Sequence, residues 1–89
     1  MAVPLTTEVL QDDIAISFAR VLATANRKAR ESGVDLLNCL ISVTQRATDG
    51  RTVWRVNYGP KDYIGRRGCD FIVEINADDE TISRVLRGQ

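Results

Sequence analysis

The chain has 89 residues and carries 12 basic and 12 acidic side chains, so its formal net charge is zero. That length holds one core and no second domain, and the charge balance lacks the basic excess on which nucleic-acid binders depend. There is no histidine, which removes the commonest general base and the commonest nitrogen ligand of metals.

Hydrophobic residues make up 44% and charged residues 27%, the balance of an ordinary globular chain and not of a disordered one. No run of eighteen apolar residues could span a membrane. The start, MAVPLTTEVL, has neither the basic opening nor the apolar centre of a secretory signal. The two cysteines, Cys39 and Cys69, are too few for a zinc site or a disulfide scaffold. A reducing cytoplasm is therefore the expected compartment.

In chain order, residues 1–6 read as a tail that Pro4 keeps out of the helix that follows. From Thr7 to Ser32 the apolar residues Leu10, Ile14, Phe18, Val21, Leu22, Ala25 and Ala29 recur at steps of three and four. That period predicts one long helix with a broad apolar stripe. Thr6 or Thr7 would cap its start, and Gly33 would end it in the left-handed conformation, with Val34 folding back near Ala29.

Residues 36–48 alternate, placing Cys39, Ile41 and Val43 on one face and Ser42, Thr44 and Arg46 on the other. Asp49-Gly50 is the pair that a two-residue hairpin favours, and residues 51–58 form the returning strand. Setting Thr48 opposite Arg51 places Val43 against Val56 and Ile41 against Tyr58, so the two apolar faces coincide. A slip of one residue would part them. Residues 59–68, GPKDYIGRRG, break the alternation and read as a loop. Strands over 69–76 and 81–87 close the chain around a turn at Ala77 to Glu80. Pairing Ala77 with Glu80 sets Ile75 opposite Ile82 and Phe71 opposite Leu86. The expected fold is α+β: one long N-terminal helix packed across a four-stranded antiparallel meander sheet, in a single domain over residues 1–89.

The helix ending in Ser32-Gly33-Val34-Asp35, the strand Gly50-Arg51-Thr52-Val53-Trp54-Arg55-Val56 and the closing Phe71 to Ile82 together resemble PepSY-type and cystatin-like domains. In PepSY-like domains the closing turn reads Asp-x-x-Thr-Gly-Glu-hydrophobic; here Asn76 to Ile82 approximates it without the glycine. Cystatin-like inhibitors present a Gln-x-Val-x-Gly hairpin and a Pro-Trp turn. Gln45 to Gly50 and Ala77 to Glu80 contain neither, so inhibitor activity is not carried over. The resemblance implies the fold and assigns no site.

Two places could carry function. In the 59–68 loop, Lys61, Arg66 and Arg67 could cradle an anion, or be incidental charge on a solvated loop. Tyr63 and Ile64 beside them either tuck over the core or present a contact. The sheet face turned from the helix is expected to carry Leu40, Val53, Ile72 and Val85 around Arg55. One apolar residue per strand at similar height would form a stripe suited to a partner or a second copy, although β-branched residues are also common on exposed strands. The cysteines, expected about 9–10 Å apart across two strand spacings, read as buried thiols with no bond between them. Asp12–Asp13 and Asp78–Asp79 lack a second acidic cluster to complete a metal or acid–base site. The expected function is a non-enzymatic protein-binding module without metal or cofactor, the alternative being a small-ligand or anion binder using the loop. Nucleic acid and membrane are not expected partners.

Overall fold

The computed structural model describes residues 7–60 and 70–87. The expected single helix over 7–32 is two: α1 over Thr7–Leu10 and α2 over Asp13–Glu31. The break has a local cause. Asp12 leaves the helical conformation (φ −96°, ψ 108°), and its Oδ1 accepts from the amides of Ile14 and Ala15, both at 2.9 Å. A short acidic side chain satisfies the free first-turn amides better from outside the helix than from within it. Asp12 is thus the cap that was expected of Thr6 or Thr7.

The end of α2 forms as expected. Gly33 takes φ +87°, its amide donates to Arg30 O at 3.0 Å, and the Val34 amide donates to Ala29 O at 2.9 Å. This is the Schellman pair of bonds, and it buries Val34 against Ala29. A short 3₁₀ turn, Leu36–Asn38, then delays the first strand.

The sheet is open, with strand order β1-β2-β3-β4: β1 is Cys39–Thr48, β2 Arg51–Pro60, β3 Phe71–Asn76 and β4 Ile82–Arg87. Neighbouring strands are antiparallel. Asp49 (φ 51°) and Gly50 (φ 75°) are both left-handed, the geometry whose twist suits a two-residue hairpin. Thr48 faces Arg51, Val43 faces Val56 and Ile41 faces Tyr58, as the alternation requires. Gly59 and Pro60 belong to β2, paired with Leu40 and Cys39, rather than to a loop.

The closing hairpin departs from its expected register. Ile75 does face Ile82, but a bulge follows between Glu74 and Ile75, so Glu74 faces Arg84, Ile72 faces Leu86 and Phe71 faces Arg87. Ser83 is the extra residue, and its hydroxyl donates to Glu74 O at 3.2 Å. A bulge of this kind reverses the facing of every later side chain on its strand.

α2 packs over β2 and β3. The core is Val21, Ala25 and Ala29 from the helix, Val34 from the connection, Cys39 from the start of β1, and Trp54, Val56, Tyr58, Phe71, Val73 and Ile75 from the two central strands. Arg87 fastens β4 to the helix: its guanidinium lies 5.4 Å from the Phe71 ring centre and donates to Ser32 O at the C-terminal end of α2. A cation there also suits the helix dipole.

Cys39 is disulfide-bonded, which corrects the reading of two unbonded thiols. The chain's other cysteine, Cys69, lies outside the described residues. The expected separation assumed two strands flanking an intact third. Cys39, however, is the first residue of β1 and faces Pro60, the last residue of β2, where the ladder ends and nothing enforces that spacing.

Replacing Asp12 with alanine should cost about 1 kcal/mol, read from denaturant unfolding, with the loss of helical signal confined to the first turn of α2. Cys39 should resist alkylation until a reductant is added, and reduction should lower stability by about 2–4 kcal/mol.

Candidate functional site

Lys61, Tyr63, Ile64, Arg66 and Arg67, the loop residues expected to meet an anion or partner, lie outside the described residues. The described surface offers two other regions, one on each side of the sheet.

On the helix side, β1 is covered only in part: Cys39 at its start is buried, but cover falls away along the strand. Ile41 is 41% exposed and Val43 only half-buried, although both point to the same side as Tyr58 and Val56. The helix stripe is uncovered at its start as well: Leu10, Ile14 and Phe18 are exposed, Ile14 by 72%. Phe18 meets Trp54 edge-on, with ring centres 5.9 Å apart and planes at 87°, and this contact bounds the covered region. Farther along, Tyr58 OH donates to Asn26 Oδ1 at 2.7 Å, which gives the buried phenol its partner. Burial pushes the Tyr58 pKa from 10.0 up to about 12, with Arg30 pulling weakly the other way.

On the outer face the register sorts side chains into rows. Leu40 faces Gly59. Ser42, Asn57, Ile72 and Leu86 form the next row, then Thr44, Arg55, Glu74 and Arg84, then Arg46, Val53 and Asn76. The expected apolar stripe is therefore absent. Leu40, Ile72 and Val53 stand in different rows, and Val85 faces buried Val73 on the helix side. Leu86 takes its place on the outer face because the bulge shifts β4 by one residue.

The same shift brings Arg84 outward. Without it, continuing the pairing of Ile75 with Ile82 would set Arg84 opposite Val73, on the helix side. With it, the single carboxylate of Glu74 stands between Arg55 and Arg84. Arg55 Nε lies 3.8 Å from Glu74 Oε2, with the two side chains 33% and 14% exposed. Among the described residues, Arg46 and Arg84 make no ion pair. Between them lies a shallow hollow of about 200 Å³, lined by Arg46, Thr48, Val53, Glu74 and Arg84. Sequence reasoning singled out Arg55 and Val53 here and missed Arg46, Glu74 and Arg84 as a group. The signal for Arg46 and Glu74 was the alternation itself. For Arg84 there was none, since the bulge depends on how β4 seats against β3.

Among the described residues, no three His, Cys, Asp or Glu side chains cluster as a metal site would need, and no helix is long and apolar enough to cross a membrane. Asp79 is engaged within its own turn: Thr81 Oγ1 and the Thr81 amide donate to its Oδ1 at 2.7 and 3.0 Å, holding its carboxyl below the usual range. No protein family, curated protein or solved structure matches the chain.

Tyr58→Phe should cost about 1–2 kcal/mol, because Asn26 loses its donor in a half-buried place. The wild-type phenol holds its proton more tightly when folded, so its contribution is whole below pH 10.0 and is lost as the pH climbs toward about 12. Unfolding midpoints measured across that window should fall for the wild type and lose this component in the variant.

Proposed function

We propose that this chain is a non-enzymatic interaction module that associates through the open edge of β1, with a second copy of itself as the partner. The observation that carries the reading is the contrast between the two sheet edges. β4 is six residues long and carries Arg84 and Arg87, charges of the kind that keep an edge strand from adding neighbours. β1 is ten residues long and carries one charge, Arg46. Ile41 on the strand is exposed, and so is Phe18 of α2, which lies against Trp54, the partner of Gln45 on β1.

An antiparallel pair of β1 strands is two-fold symmetric, so each copy offers what the other lacks. Pairing about Val43 would set Arg46 opposite Leu40 of the partner copy and keep the two arginines apart. A ten-residue edge about 33 Å long, with side chains on both faces, offers contact on the order of 600–800 Å² per chain, near that of a standard interface. The likeness to PepSY-type and cystatin-like domains belongs to the same reading, since it implies a scaffold and not a reaction. So does the compartment. Disulfides persist where the surroundings are oxidising, so the bonded Cys39 favours such a compartment over the cytoplasm.

Sedimentation over a concentration series should show a monomer–dimer equilibrium in the micromolar range. Ile41→Arg should weaken it about tenfold or more, because pairing would bury a charge without a partner. Its thermal stability should stay near that of the wild type, Ile41 being exposed. A monomer at every concentration, with β1 amides exchanging freely, would overturn the reading.

A further inference from the structure

We infer that the hollow on the outer sheet face is a binding site for a phosphate-type dianion. Two arginines line it from opposite strands, Arg46 from β1 and Arg84 from β4, and a third, Arg55 of β2, stands in the row of Glu74 and Arg84 beside it. One carboxylate, Glu74, answers them, and it is engaged by Arg55. The site thus holds two positive charges beyond balance in a chain whose net charge is zero. A phosphate group carries about −1.5 to −2 at neutral pH and three acceptor oxygens, which matches that surplus. Guanidinium forks are the side chains best shaped to meet such oxygens in pairs.

The surroundings leave room for it. Thr48 and Val53 line the hollow beneath the arginines, and their neighbours Thr44 and Asn76 are short. A bound group would have a hollow of about 200 Å³ between side chains to occupy. Glu74 is mostly buried, with 14% of its side chain exposed, so it sets the local charge and holds Arg55 in place without filling the space between Arg46 and Arg84. The bulge at Glu74 and Ile75 completes the arrangement, since it is what turns Arg84 to this face. Bulges commonly re-aim a side chain in this way.

The site lies within one chain and does not depend on pairing at β1, so Ile41→Arg should leave it intact and the two readings can fail separately. Inorganic phosphate titrated into the full chain at constant ionic strength should give saturating amide shifts at Arg46, Val53, Arg55, Glu74 and Arg84. Arg84→Gln and Arg46→Gln, both at exposed positions, should each weaken binding about tenfold. Glu74→Gln should tighten it several-fold by removing the competing carboxylate. A short phosphoserine peptide run in parallel distinguishes the source: tighter binding than inorganic phosphate indicates a phosphorylated chain, equal binding a free phosphate. Shifts that never saturate, that chloride reproduces at equal ionic strength, or that Arg84→Gln leaves unchanged would overturn the site.

Discussion

An α-helix with its side chains is about 10–12 Å across, and strands lie about 4.8 Å apart, so one helix covers about two strands. The described residues of this chain hold one helix of useful length and a sheet of four strands. α2 spends its covering on β2 and β3, and every helix-facing residue of those strands from Trp54 to Tyr58 and from Phe71 to Ile75 is buried. The outer strands receive what is left. Phe18 meets Trp54 edge-on; before it on α2 Ile14 is exposed, and on β1 Ile41 is exposed as well.

The two edges meet that shortage differently. β4 is tied down from its far end, where Arg87 stacks on Phe71 and donates to the last turn of α2, and its other arginine, Arg84, sits on the opposite face. β1 is held at its start by the bonded Cys39 and along one side by β2, and it forms the other edge of the described sheet. Edge strands are where sheets add neighbours. The asymmetry between the edges is the feature on which the proposed pairing rests.

A single inserted residue links several of these features. Ser83 widens the β3–β4 ladder by one position, and from there on β4 shows the opposite face. Arg84 joins Arg55 and Glu74 on the outer side, Val85 turns toward buried Val73, and Arg87 reaches the helix end. Without the insertion the arginine row would lose a member and α2 would lose its cation. Local irregularity therefore serves packing on one side of the sheet and charge placement on the other.

Much of this was legible in the residues alone. The glycine stop at Gly33, the Asp49-Gly50 hairpin and the register from Thr48–Arg51 to Ile41–Tyr58 follow from backbone conformation and a period of two, both properties of neighbouring residues. The α+β architecture follows from the same signals. The break at Asp12 is also written locally, as a capping side chain, although the apolar stripe runs on across it and by itself predicts one helix. What the chain could not disclose was which strands the helix would cover, that the β4 register would shift at Ser83, and that Cys39 would be bonded. These depend on how twisted layers seat against one another at long range, and the tertiary structure alone decides them.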